Sequence, residues 1–299
     1  MRINTNVSSL TAQESAVNTN KSITNSLEKL SSGLRINKAA DDASGLAIAD
    51  KLRTQVTSIN QGVSNGNSAI ALLQIADKSM AEQSTILDTI KAKLIQANTD
   101  TTSSAGRTAI AKDVNKLLDQ LNNIAKQTNY NGTALLQKDT KSSAAGVAAS
   151  SGLTFQVGES TADLIKTKTI QANVTGLSLS SLKSNVSAGA KYTNVNGTVT
   201  GTAFTKVMAS AGQKAIDDAI TKLNGYRGDI GSTQNQVESA VRNLATQATN
   251  IKNAESVIRD VDYAQESANY NKLNIIAQAG SYAISQANST QQNVLRLLQ

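Results

Sequence analysis

Apolar residues recur at alternating spacings of three and four along most of this chain, the period that lays one face of an α-helix against a partner. In the last third, Ile216, Ile220, Leu223, Ile230, Val237, Val241, Leu244, Ala248, Ile251 and Ile258 form one seam, and Arg227, Gln234 and Glu255 stand where it skips. The spacing predicts a helix of ~65 Å, with weak points or polar pairs at the three skips. Ile59, Val63, Gly66, Ile70, Leu73, Met80, Leu87, Ile90 and Leu94 form a second seam, and Ile110, Val114, Leu117, Leu121 and Ile124 a third. Three seams predict a bundle, with the polar stretch 98–106 as an antiparallel connection and Asn129-Tyr130-Asn131-Gly132 as the stop after the third.

Each end of the chain carries a further stripe. Ile3, Val7, Leu10, Val17, Ile23, Leu27, Leu30 and Leu34 form the first; Leu273, Ile276, Gly280, Ile284, Ala287, Gln291, Val294 and Leu298 form the second. The economical arrangement pairs them as a terminal coiled coil, leaving any uncovered stripe for neighbouring copies. Between 133 and 209 the helical period fades. There 153–158 alternates as a half-buried strand, and the Ser/Thr/Asn/Gly-rich stretches 141–152 and 183–202 are expected as exposed loops. The expected fold is mainly α: long nested antiparallel helices forming a terminal coiled coil and a bundle, with a small β-hairpin or irregular insert.

Composition narrows the chemistry. The 299 residues include no Cys, His or Pro, and aromatics are 3%. Without thiolate or imidazole there is no zinc finger, haem ligation or His-dependent triad, and the absence of Pro suits long unbroken helices. No run of about 18 apolar residues would span a membrane. The opening residues lack the apolar core of a signal peptide, so any export is expected by another route. The net charge of +7 is dispersed, and few aromatics could stack bases, which argues against nucleic-acid binding. No isolated acid–base or nucleophile set points to an enzyme, and no cofactor is expected.

The termini carry motifs beyond periodicity: Asn4-Thr5-Asn6, Leu30-Ser31-Ser32-Gly33-Leu34-Arg35-Ile36-Asn37, Asp41-Asp42 followed by Gly45-Leu46, Asn131-Gly132 and Asn293-Val294-Leu295. In these motifs and their order the chain resembles bacterial flagellin. The resemblance implies a subunit that polymerises into the flagellar filament for swimming, exported unfolded by the flagellar type III system to become an extracellular, secreted filament. It implies paired terminal helices (1–46 and 257–299) as the inner tube, a helical bundle with a β-hairpin (47–182 and 208–256) as the outer tube, and 183–207 as a short exposed variable segment. Inner-tube and inter-subunit packing would fall to Ile3, Val7, Leu10, Val17, Ile23, Leu27, Leu30, Leu34, Leu273, Ile276, Ile284, Val294, Leu295 and Leu298. The implied partners are further copies, the filament cap, hook-junction proteins and an export chaperone. Two readings compete: a hook–filament junction protein, and a soluble adhesin or receptor-binding module using outer loops.

Flagellins sensed by the flagellin-specific Toll-like receptor usually carry Arg at the position of Thr89 and Leu near Lys93, so weak sensing is expected of the region that also holds Asp113. Gln291 departs as well, where the family commonly has Pro. Flagellins often bear O-linked sugars, for which Ser142, Ser143, Thr193, Thr198, Thr200 and Thr202 are the candidate carriers. Arg35, Asn37, Asp41 and Asp42 lie on the link after the first helix. Capping is the preferred reading for the aspartates, inter-subunit pairing the alternative, and a metal would need more oxygen ligands. Arg227-Gly228-Asp229 spells an integrin-type tripeptide, but within a helical seam rather than a projecting loop. The triplets at Asn131, Asn173, Asn185 and Asn196 are what an Asn/Ser/Thr-rich chain generates by chance.

Overall fold

The computed structural model describes residues 6–137, 152–191, 193–195, 198–200 and 203–297, and of 193–195, 198–200, 291 and 293–297 it describes the backbone alone. Six helices run through the described residues: α1 (Val7–Ser32), α2 (Ala43–Ala97), α3 (Ser104–Gln127), α4 (Ser180–Ala190), α5 (Lys206–Arg259) and α6 (Tyr263–Leu297). Three antiparallel hairpins accompany them: β1 (Asn129–Tyr130) with β2 (Thr133–Ala134), β3 (Thr154–Gln156) with β4 (Leu164–Lys166), and β5 (Thr193–Val195) with β6 (Thr198–Thr200). The chain divides into two compact units, one drawn from residues up to Thr57 and from Gln247 onward, the other spanning Ser58–Thr246. The long helices α2 and α5 contribute to both.

Ser58–Thr246 is a bundle of α2, α3 and α5. Along α2 the buried residues are Ile59, Gly62, Gly66, Ala69, Leu73, Ala76, Met80, Gln83, Leu87, Ile90, Leu94 and Ala97, an unbroken three-four alternation. Small residues fill the positions that a search for large apolar side chains passes over. Val63 and Ile70, expected in the seam, flank it half-buried. In α5, Ala209, Ile216, Ala219, Leu223 and Ile230 enter the same core, with Tyr226 packed against it. Tyr226 thus carries the seam past the expected skip at Arg227, whose Nε instead pairs with Asp77 Oδ1 at 2.8 Å.

Glycines on α2 admit close neighbours. A Cβ at Gly62 would run into the carbonyl of Val157, and one at Gly66 into the Val241 side chain. Here the β3–β4 hairpin lies on the bundle, with Val157 and Ile165 clustering on Ala69 and Val237 and Asn65 Nδ2 donating to Gln156 O at 3.1 Å. Asn131 and Gly132 both have positive φ, 49° and 82°, the two-residue turn that joins β1 to β2.

The expected exposed loop at 183–202 is corrected in its first half. Residues 180–190 are helical, and Leu182, Val186 and Gly189 are buried, with Lys183 Nζ pairing with Asp119 of α3 at 2.7 Å. Those three residues do hold helical spacing. Two apolar side chains amid Ser, Asn and Gly are too few to announce it, and packing supplies what propensity lacks. The connection at 98–106 is also shorter than expected: Ser103 caps α3, accepting from Gly106 N at 3.1 Å, so Gly106 is already inside that helix. At 54 residues, α5 exceeds its expected length.

Candidate functional site

In the first unit α1 packs antiparallel along α6. Asn6 serves twice: its Oδ1 caps α1 by accepting from Ser9 N at 3.1 Å, and its Nδ2 donates to Ala287 O at 3.1 Å. Near the other end of the pair, the buried Ser26 hydroxyl donates to the Glu266 carboxylate. Between these ties the covered positions of α1 are Ala12, Ala16, Thr19, Ile23, Ser26 and Leu30; those of α6 are Tyr270, Leu273, Ala277, Gly280, Ile284 and Ala287. Both sets alternate by three and four. Many of these side chains are small, so the backbones lie close.

The predicted N-terminal stripe therefore splits into two faces. Ile23 and Leu30 are on the seam with Leu273 and Ile284, and Leu34 is half-buried just beyond α1. Val7, Leu10, Val17, Leu27 and Ile276 are exposed. Ile3 and Leu298 lie outside the described residues, as do the side chains of Val294 and Leu295. The size of the apolar residues misled the assignment: the seam takes alanine, threonine and serine, and several large residues face outward. The signal that would have found it is the run Ala12, Ala16, Thr19, Ile23, Ser26, Leu30.

The two links beside this pair are fastened to each other. Arg35 N donates to Arg259 O at 2.6 Å and Val261 N to Gly33 O at 3.0 Å, around an isolated antiparallel bridge of Leu34 with Asp260. Arg35 Nη2 reaches Ile258 O at 2.5 Å. Gly33 has φ 73°, a left-handed cap that only glycine adopts without strain. Asp42 Oδ1 accepts from Gly45 N at 2.9 Å, capping α2, and Asp262 Oδ1 accepts from Ala264 N at 3.0 Å and Gln265 N at 3.1 Å, capping α6.

Asp41 turns back instead. Its Oδ2 accepts from Asn37 N and Lys38 N, both at 3.0 Å, and these donors, Lys38 N foremost, hold its carboxyl below the usual value of 3.8. Lys38 Nζ pairs with Glu28 at 2.5 Å, a bond that raises the lysine above its usual 10.5. Asn37 Nδ2 donates to Leu34 O at 3.2 Å. Arg35 has no described ion pair with either aspartate. Arg259, unnoticed in the sequence reading, is largely covered, with Asp50 Oδ1 at 3.8 Å from its Nη1.

Elsewhere the named residues have quieter surroundings. Thr89 is exposed and its hydroxyl donates to Thr85 O at 2.9 Å; Lys93 pairs with Asp113 at 3.0 Å. Asp229 of the Arg-Gly-Asp tripeptide pairs with Lys168 at 2.8 Å, and the whole tripeptide lies within α5. Ser142, Ser143 and Thr202 fall outside the described residues; Thr193, Thr198 and Thr200 lie in β5 and β6, with side chains outside the description. A groove of about 650 Å³ between the β3–β4 hairpin and α5 is lined by Val157, Leu164, Ile165, Ala240 and Leu244 with Asp163 and Asn243 at its edges. Among the described residues no group of three or more acidic side chains could hold a metal ion, and no helix is long and apolar enough to cross a membrane.

Comparison with known proteins agrees across the chain. The family model for the bacterial flagellin N-terminal helical region matches residues 3–141, and that for the bacterial flagellin C-terminal helical region matches 213–298. The chain is 33% identical to flagellin of Bacillus subtilis over 303 residues, covering 100% of both chains. It is also 33% identical to the flagellar filament 33 kDa core protein of Treponema phagedenis over 298 residues, again covering 100% of both. In fold it is similar to a solved Vibrio parahaemolyticus protein assigned as flagellar hook-associated, with TM-score 0.57, 15% identity, and coverage of 73% of this chain and 99% of that one.

Proposed function

The chain belongs to the bacterial flagellins, and we propose that it builds the flagellar filament through its paired terminal helices. It is a structural subunit of that filament, which serves motility. In this reading residues 1–46 and 257–299 make the inner tube, 47–182 and 208–256 the outer tube, and 183–207 the segment turned to solvent. One observation supports it above the others: the α1–α6 seam is filled from within the chain, yet Val7, Leu10, Val17, Leu27 and Ile276 still stand in water. Large apolar side chains exposed along a helix pair mark a surface awaiting a partner. In a filament subunit that partner is another copy, joined by Ile3, Val294, Leu295 and Leu298.

Export and assembly follow from the same economy. The chain travels unfolded through the flagellar type III channel and is secreted, with an export chaperone covering the C-terminal helix beforehand. The termini fold as their stripes find neighbours at the filament tip beneath the cap, and hook-junction proteins supply the first such surface. Binding of the folded form then stabilises it by mass action. Arg35, Asn37, Asp41 and Asp42 hold the link after α1. Thr89, Lys93 and Asp113 make a poor match to the receptor-sensed pattern, and O-linked sugars sit on the outer Ser and Thr residues. Catalysis has no part in this role.

Negative-stain electron microscopy of purified monomer seeded with short filament fragments tests the reading. Long uniform filaments are expected. Short rings would favour a junction protein, and persistent monomers that bind host cells would favour an adhesin, against which the helical setting and ion pairs of Arg227 and Asp229 already weigh.

A further inference from the structure

The exposed apolar residues of the first unit fall on two opposed strips. On α1, Leu10 and Val17 are one heptad apart and 54% and 62% exposed; on α6, Ile275 and Tyr282 are one heptad apart and 67% and 74% exposed. At about 100° per residue, the α1 strip points ~140–160° away from the covered seam of its own helix, and the α6 strip points nearly opposite its own. The pair thus presents one apolar strip on each outer side, and the two differ in composition.

The ties across the seam set the level of each strip. Asn6 meets Ala287, and Ser26 meets Glu266. In an antiparallel pair that register brings Leu10 level with Tyr282 and Val17 level with Ile275, on opposite sides of the same pair. Two strips of equal spacing, with the same antiparallel sense and on opposite sides, match each other between copies set side by side. They match again after a slide of one heptad, ~10 Å. The surroundings agree: Glu14 and Lys21 flank the α1 strip, while Gln278 and Asn271 stand level with them on α6, so docking brings no like charges together.

We infer that the α1 strip Leu10–Val17 of one subunit docks on the α6 strip Ile275–Tyr282 of a second copy. The contact is heterologous, which leaves a free strip on each side after every addition. Such an interface propagates as an open helical array rather than closing as a two-fold dimer. This rests on the filament reading above and specifies which faces carry it.

The absence of cysteine makes the test clean. Full-length Val17→Cys, Leu10→Cys, Ile275→Cys and Tyr282→Cys chains are prepared separately and co-assembled in pairs into filaments with excess unaltered subunit. Filaments are then treated with a short bis-maleimide, and products are resolved by mass. An α1-strip chain joined to an α6-strip chain is expected at least tenfold over either homodimer, and the most reactive pair reports the axial slide. Filaments giving mainly homodimers, or no cross-link from any α1–α6 pairing, would overturn the inference while leaving the filament reading intact. Failure of the unaltered chain itself to form seeded filaments would count against that reading instead. As a second measure, Val17→Asp and Tyr282→Lys should each slow seeded elongation at least tenfold, and their combination in one chain should restore it in part. Independent additive losses would contradict the contact.

Discussion

Single side chains decide how the helices begin, turn and stay in place. Asp42 caps α2 through one bond to Gly45 N, and a Cβ on Gly45 would meet both Asp42 and, at 2.8 Å, Ile36 Cδ1. Asp42→Ala should therefore cost about 1 kcal/mol, read as a lower midpoint in urea unfolding of the monomer. Asp41 gives a pH signature. Its folded carboxyl titrates below 3.8, so the stability it contributes is present above the unfolded value and is lost as pH falls through the folded one. Asp41→Ala should lower the melting temperature at pH 7, with the difference from the unaltered chain vanishing near pH 2 by calorimetry. Gln83 is wholly buried in the bundle, and its Nε2 donates to Leu121 O at 3.2 Å and Ala172 O at 2.8 Å. Gln83→Leu strips the donor from a buried carbonyl and should destabilise by about 1–3 kcal/mol. Chemical denaturation measures that.

Helices and hairpins show why the same residue type has opposite effects at different positions. Gly66 of α2 faces Val241, and Gly62 faces the backbone of Val157; alanine at either overpacks the site and should destabilise by about 1–3 kcal/mol. Gly225, Gly228 and Gly231 of α5 have nothing within 4 Å of where a Cβ would stand. There Gly228→Ala should stabilise the monomer by up to about 1 kcal/mol through backbone entropy alone. Thermal unfolding followed by circular dichroism at 222 nm separates the two signs. The seams were legible wherever large aliphatic residues marked them, as at Leu73, Met80, Leu87 and Leu94. They were misread by one position at Arg227 because Tyr226, its neighbour, fills the place. α4 was missed because its apolar face is only Leu182 and Val186.

At the scale of the molecule, the two compact units behave as separable demands on one chain. Ser58–Thr246 has its own continuous core, whereas the α1–α6 pair covers a narrow seam and leaves its larger apolar residues in water. Removing residues 1–34 or 273–299 should abolish seeded polymerisation in sedimentation assays while most ellipticity at 222 nm remains. Loss of all helix from either truncation would contradict a self-sufficient bundle. The candidate site was legible in part. The terminal motifs pointed to both ends of the chain, but the link of Leu34 with Asp260, and Arg259 beside Asp50, join residues more than two hundred positions apart that no local pattern connects.

The sequence by itself determined the helical period, the pairing of the two ends, the turn at Asn131-Gly132 and, through its terminal motifs, the family. These depend on neighbours within a few residues, where backbone geometry fixes which side chains share a face. Only the tertiary structure decided which of two faces on α1 and α6 is covered. A helix with small residues on one side and large ones on another can bury either. The choice falls to how closely the partner backbone approaches, and that distance is set by both helices together.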